Sequence, residues 1–251
     1  MYREHLPPAA LAPHVDRFWT SDASPGMRAP RRVLPDGCID ILIELDGDEA
    51  TPRVVGTMTR ALVIPPGPQL RVVAVRFRPG AAAAFLRVDA DELTDLDIDV
   101  PALGLDLAID PRDPLGSLTR YLLSRLPLSS QPVTSYAIAR LLHAAPSLPE
   151  LARETGWSRQ WLTRECRRRV GVTPKQLARV ARLQRAIIAL QTLAARPRLP
   201  SHGLAALAPA LGYFDQAHMA KDFRELAGCT PRDAVSIFPI RSVYAAPSSR
   251  S

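Results

Sequence analysis

The stretch Leu148-Pro-Glu-Leu-Ala-Arg-Glu-Thr-Gly-Trp157 is followed by Ser158, a basic run to Gly171, and Thr173-Pro174. A second stretch, Leu204-Ala-Ala-Leu-Ala-Pro-Ala-Leu-Gly-Tyr213, is followed by Asp215, another run to Gly228, and Thr230-Pro231. Ser158 lies 13 positions before Gly171, and Asp215 lies 13 positions before Gly228. One pattern is written twice, and such a repeat constrains the architecture before any single residue does.

Each copy has the chemistry of a helix, a turn and a second helix. Leu148, Leu151 and Ala152, like Leu204, Leu207 and Ala208, place apolar groups on one face of a short helix. Gly156 and Gly212 stand where that helix must stop. Ser158 and Asp215 are good N-caps for the next one. Its apolar positions are Trp161, Leu162, Cys166 and Val170 in the first copy, and His218, Met219, Phe223 and Ala227 in the second. The opposite face is polar and mostly basic: Arg159, Gln160, Thr163, Arg164, Arg167 and Arg168 against Gln216, Ala220, Lys221 and Arg224. Gly171 and Gly228 end these helices, and Pro174 and Pro231 suit the first turn of the following ones. Pro209 falls inside the first helix of the second copy, where it removes a donor and shortens or kinks the helix.

This layout resembles the DNA-binding domain of AraC/XylS-type transcription regulators, and residues 212–231 are similar to that family's signature. The resemblance spans residues 133–236. It implies an all-α domain with two helix-turn-helix units joined by one long helix, 174–194, entering successive major grooves about 34 Å apart. By position in the motif, Gln160, Thr163 and Arg164 are the base-reading candidates of the first copy, and Gln216, His218 and Lys221 those of the second. Arg and Lys suit guanine and Gln suits adenine. Arg167, Arg168, Arg169 and Arg224 are candidates for phosphate contact or for a solvated basic face, to which Arg159 also belongs. His218 has a second reading, a packing role matching Trp161. Double-stranded DNA is the implied partner, with RNA polymerase and a small-molecule effector as further partners. Monomer and homodimer both stay open, and no cofactor and no enzymatic activity are implied.

Composition agrees. Residues 1–146 hold 15 Arg or Lys against 18 Asp or Glu, a net of −3, and residues 147–251 hold 17 against 7, a net of +10, which together give the chain's +7. A basic second half beside a mildly acidic first half points to nucleic acid at one end only. A high arginine usage alone explains Arg over Lys but not this asymmetry. Cys38, Cys166 and Cys229 are far apart and odd in number, so neither a metal-ligand spacing nor a disulfide framework is present. The N-terminal residues do not read as a signal peptide, and no apolar run reaches the roughly 18 residues of a membrane span. A soluble cytoplasmic protein is expected.

The first half reads as α+β. Strand-like runs at 31–34, 39–45, 53–56, 61–64 and 70–77 suggest a small antiparallel sheet or barrel, and 15–19 suits a strand or a short helix. Pro35-Asp36-Gly37 and Asp46-Gly47-Asp48 read as turns. Helical patterns follow at 81–86 and, behind the cap Asp113, at 114–126, with a short helical turn at 89–93 and a loop or extended edge at 95–99. Domain boundaries are expected at 1–128 for a regulatory domain, 129–132 for a linker, 133–240 for the DNA-binding domain and 241–251 for a disordered tail. The runs 33–42, 54–56 and 75–80 resemble an N-terminal domain of poorly understood function that precedes such modules in many bacterial, often actinobacterial, regulators.

Three features of this half carry alternatives. Cys38 is either a buried strand-start residue or a reactive thiol, and the second option supports a rival function: a DNA-alkylation-responsive protein with Cys38 as alkyl acceptor. No neighbouring base or cation is evident to activate it. Arg76 and Arg78 either lie on the solvent face of a strand or line an anion pocket. The stripe Leu115, Leu118, Leu122, Leu123 and Leu126 either packs on its own sheet or pairs with a second copy.

Overall fold

The structure, a computed structural model, describes residues 2–22, 24–27, 30–127, 132–194 and 203–238. The linker except Pro132, the long loop between the two repeats before Gly203, and the tail at 241–251 lie outside the described residues.

Ten strands are described: β1 (Tyr2–His5), β2 (Val15–Ser21), β3 (Ser24–Met27), β4 (Arg31–Val33), β5 (Asp40–Asp46), β6 (Glu49–Val55), β7 (Leu62–Ile64), β8 (Gly67–Gln69), β9 (Arg71–Phe77) and β10 (Asp97–Asp99). Six of them form an antiparallel sheet in the order β1-β2-β9-β5-β6-β10, and β3-β8 and β4-β7 form two ribbons. The sheet is open, with β1 and β10 at its edges, so of the two expected forms it is the sheet and not the barrel. Alternate residues build the core side: Ile41 and Ile43 stand opposite Val75 and Val73, and Phe18 opposite Val75, all buried. Helices α1 (Ala82–Leu86) and α2 (Pro114–Ser124) cover that side with Phe85, Leu86, Leu118 and Leu122. Asp113 caps α2 by accepting from Gly116 N–H at 3.0 Å. The leucine stripe therefore packs on its own sheet, with Leu123 left on the exposed side.

The second half consists of α3 (Pro132–His143), α4 (Leu148–Thr155), α5 (Arg159–Val170), α6 (Pro174–Ala194), α7 (Gly203–Ala210), α8 (Gln216–Asp222), a π-helical turn Phe223–Ala227, and α9 (Pro231–Ile237). Each sequence copy makes its own core. Leu151, Leu162, Cys166 and Val170 gather with Ile138, Leu141 and Leu177 in the first. Ala208, Tyr213, Met219 and Phe223 gather with Leu183, Ile187 and Phe238 in the second. Helix α6 supplies Leu177 to one core and Leu183 to the other. Pro209 sits in the last turn of α7, which ends one residue later.

The two halves are not beads on a string. Leu34, between β4 and β5, is built into the core of the second unit, and Ala61 N–H donates to Leu226 O at 2.7 Å. Gln184 Nε2 of α6 donates to Pro35 O at 2.6 Å. On the first unit, Thr57 Oγ1 donates to Val170 O at 2.5 Å and Thr94 Oγ1 to Gly171 O at 2.7 Å. The turn Pro35-Asp36-Gly37 meets α6 so closely that a Cβ on Gly37, whose φ is +80°, would stand 2.8 Å from Leu177 Cδ1.

Leu34→Ala should therefore behave as a core truncation of the second unit, costing ~2–4 kcal/mol although Leu34 belongs to the first half. Hydrogen exchange should show lost protection in α7, α8 and α9 ahead of α3 and α4. Uniform loss, or loss confined to the sheet, would show that Leu34 does not support that core.

Candidate nucleic-acid interface

Helix α5 begins where Ser158 Oγ accepts from Trp161 N–H at 3.1 Å, which satisfies one of the helix's free donors. Leu162, Cys166 and Val170 face inward, and the remaining stripe faces out. Arg159, Gln160, Arg164 and Arg167 are exposed on that stripe, with Thr163 half-buried among them and bonded through its hydroxyl to Arg159 O at 2.8 Å. These five, together with Arg168, line one open groove of about 680 Å³, whose other walls are Leu148, Asp89 and Asp91.

The arginines of α5 are not equivalent. Arg168 binds Glu165 through two nitrogens, at 3.1 and 2.7 Å, and Arg169 binds the same carboxylate at 2.5 Å. Glu165 is buried in the body of the helix. Burial by itself pushes its carboxyl up, but the hydrogen bonds from Arg168 and Arg169 outweigh this and hold it below the usual glutamate value. Among the described residues, the cationic heads of the stripe without a partner are thus Arg159, Arg164 and Arg167, while Arg168 and Arg169 are held by the helix's own acid. An acid followed by basic residues three and four positions on is the sequence signal for this.

Helix α8 is capped by Asp215, which accepts from His218 N–H at 2.7 Å. Gln216, Lys221 and Arg224 are exposed, as Gln160 and Arg164 are in α5. His218 differs. It is half-buried, Phe214 N–H donates to its Nδ1 at 3.3 Å, and its ring stands edge-on to Tyr213 with centroids 5.4 Å apart. Trp161, the matching position of the first copy, likewise stacks on Trp157 at 4.1 Å. These contacts give His218 a part in holding the turn before α8. Ala217 and Ala220 occupy the positions that Gln160 and Thr163 hold in α5, so the second stripe is smaller and less polar.

Asp222 fixes α8 against α6. It is 2% exposed and accepts from Arg179 at 3.0 and 2.7 Å and from Arg182 at 2.9 Å. Arg179 also pairs with Glu225, and Arg182 lies 4.6 Å over the Tyr213 ring and reaches Gly212 O at 3.3 Å. Helix α6 thereby grips both the recognition helix and the turn before it. Between the two units runs a second groove of about 730 Å³, with Leu148, Lys175, Arg179, His218 and Lys221 among its lining residues. Lys175, exposed at the start of α6, is a cation that the motif comparison missed because it lies outside both recognition helices.

Elsewhere the sequence candidates have structural partners. Arg76 binds Asp40 through two bonds, at 3.0 and 2.9 Å, and Asp36 at 2.9 Å. Arg78 donates to Ala12 O at 2.9 Å. Both guanidiniums are thus taken up by groups of the N-terminal half. Cys38 is buried, and burial, with the nearby Asp36 charge, pushes its thiol well up, away from the thiolate that reactivity requires.

Two capped, exposed recognition helices carried by one long helix define a double helix-turn-helix protein. A helix-turn-helix domain family matches residues 151–235, and a domain of unknown function (DUF6597) matches residues 3–99. The chain thus carries a helix-turn-helix domain in its second half and that domain of unknown function in its first. Among solved structures it is similar to the C-terminal domain of AraT, a response regulator from Geobacillus stearothermophilus, at 18% identity over 48% of this chain and 93% of that one, TM-score 0.36. It is also similar to ToxT from Vibrio cholerae, at 8% identity over 88% of this chain and 98% of that one, TM-score 0.41. A ToxT structure with an unsaturated fatty acid bound gives 11% identity, 88% and 95% coverage, and a TM-score of 0.40. No curated protein matches it. Among the described residues, no helix is long and apolar enough to cross a membrane.

The Glu165 cluster makes a pH prediction. A carboxylate with a lowered folded value contributes stability above its unfolded value of 4.5, and that contribution is lost as pH falls through the folded value. Glu165→Gln should lower thermal stability at neutral pH and lessen the loss that wild type suffers below pH 4.5. Parallel melting curves for the two proteins across the acid range would contradict this.

Proposed function

We propose that this chain is a sequence-specific transcription regulator that lays α5 and α8 into successive major grooves on one face of duplex DNA, under the control of its N-terminal domain. The observation that carries the reading is the pair of exposed stripes, each at the N-terminal part of a capped helix and both set on α6. The first stripe carries the donors that read purines: Gln160 suits adenine, and Arg164 can bond one guanine through two nitrogens. Arg159, Arg167 and Lys175 are free to meet phosphates. The second stripe reads with Gln216 and Lys221, and Ala217 and Ala220 suit contact with thymine methyl groups. Its site of action is where the DNA is, in the cytoplasm.

Control by the N-terminal domain, through a small molecule or a protein partner, follows from the docking contacts. Anything that shifts the 57–61 loop acts on Val170 and Leu226 at the ends of the two recognition segments, and anything that shifts the 34–37 turn acts on Leu177 and Gln184 of α6. The alternative of Cys38 as alkyl acceptor loses support, because the thiol is buried and held in its protonated form.

The test is titration of the full chain and of Arg164→Ala against an operator, found by genome-wide mapping of binding sites, and against a scrambled duplex. Wild-type affinity should fall steeply with salt as counterions are released. Arg164→Ala should cost ~1–3 kcal/mol on the operator, leave scrambled DNA nearly unchanged and relax preference at one base pair. Arg168→Ala should change the salt slope less than Arg167→Ala, since Glu165 already holds Arg168. Equal loss on both duplexes by Arg164→Ala, with unchanged melting, would make Arg164 a phosphate contact. A flat salt dependence would remove the DNA-binding surface altogether.

A further inference from the structure

The groove over α5 has an unexpected wall. Asp89 and the 3-10 turn Ala90–Leu93 belong to the N-terminal domain, yet Asp89 and Asp91 line the same groove as Arg159, Gln160, Arg164 and Arg167. The turn is firmly placed there. Ala90 and Leu93 are buried in the core of their own domain, and Thr94 Oγ1 donates to Gly171 O at 2.7 Å. Gly171 ends α5 with φ +92°, and a Cβ there would stand 2.8 Å from Ala90 O, so the two backbones meet without room for a side chain. Asp89 lies 3.8 Å from Arg168.

The acids nearby are arranged differently. Asp97 and Asp99 are bound by Arg53, at 2.9 Å each, and Asp95 accepts from Thr59 N–H at 2.7 Å. Asp91 is exposed toward the groove, and among the described residues the Asp89 carboxylate has only the long contact to Arg168, an arginine that Glu165 already neutralises.

Arg168 lies 10 positions after the Ser158 cap, so the acids stand roughly 15 Å along the helix from its base-reading start. A recognition helix there leaves the groove floor for the phosphate backbone. Phosphates arriving at that point would sit within about a Debye length, ~8–10 Å, of two fixed carboxylates. We propose that Asp89 and Asp91 form an autoinhibitory contact: they occupy the electrostatic place of the DNA backbone beside the first recognition helix and weaken its binding while the N-terminal domain is docked. Undocking at Thr94 and Gly171 would carry both charges away and raise affinity without any change in the base-reading residues. This rests on the DNA-binding reading given above.

The experiment uses the full chain with the pair Asp89→Asn and Asp91→Asn. The control is Asp46→Asn with Asp48→Asn. That pair is exposed at the β5–β6 turn, the end of β5 away from the docked 34–40 segment by seven residues, or roughly 20 Å. Both variants change net charge equally. Wild type and both variants are titrated with operator and scrambled duplexes at low and high salt, with melting as a folding control. The 89/91 variant should bind both duplexes more tightly than wild type, by roughly threefold or more at low salt, and the gain should shrink as salt rises. The 46/48 variant should gain much less. Unchanged or weaker binding by the 89/91 variant, or an equal gain by the control, overturns the proposal while leaving the DNA-binding reading intact if wild type binds. If neither wild type nor the 89/91 variant binds any duplex, both fall.

Discussion

Helix α6 is the constraint on which the rest of this molecule depends. Its 21 residues make it about 31 Å long at the usual helical rise, close to one turn of duplex DNA. Leu177 completes one helix-turn-helix core, while Leu183, Ile187 and Leu190 complete the other, so neither unit is whole without it. Its polar side is equally committed: Arg179 and Arg182 hold the buried Asp222 of α8, and Gln184 reaches across to Pro35. A shift of this helix would move both recognition helices at once, and the N-terminal domain rests on it directly.

Electrostatics then sorts the arginines into those that face out and those that are held. A helix with five arginines would repel itself and bind any anion indiscriminately. Burying Glu165 within it neutralises Arg168 and Arg169 and leaves Arg159, Arg164 and Arg167 facing out. In the second unit the same logic runs between helices, since the buried Asp222 draws in two arginines from α6 rather than from its own segment. The two recognition helices therefore differ in kind. The first presents long charged side chains and the second presents alanines flanked by Gln216 and Lys221, so the two halves of a binding site need not resemble each other in sequence.

Much of the C-terminal architecture was legible because its signals are local. Capping residues, glycines and prolines act within a few positions, and the offset between Ser158 and Gly171 recurs between Asp215 and Gly228. The docking of the two halves was not legible, because its contacts join residues far apart: 113 positions separate Thr57 from Val170, and 149 separate Pro35 from Gln184. The turn Pro35-Asp36-Gly37 could be read as a turn, but nothing in it names α6 as its neighbour. Strand β6 starts at Glu49, earlier than its apolar run suggests, because Glu49 and Thr51 face solvent and Pro52 interrupts the pattern. β1 lacks an alternating apolar face because it is a sheet edge, and edge strands are recognised by what they pair with, whereas β10 is the extended edge that 95–99 suggested, with Ile98 turned to the core. At the site itself, the sequence offered His218 both a base-reading and a packing role, and its edge-on contact with Tyr213 could not be read from position alone.

The central claim is that one rigid helix sets two recognition helices at one DNA turn. Hydroxyl-radical and base-methylation footprinting of the full chain on its operator tests this most directly. The account predicts two protected major-groove segments on one face, with centres about 10–10.5 base pairs apart. It further predicts that Lys221→Ala weakens protection only in the segment bound by α8. A single protected segment, or two on opposite faces of the duplex, would contradict it.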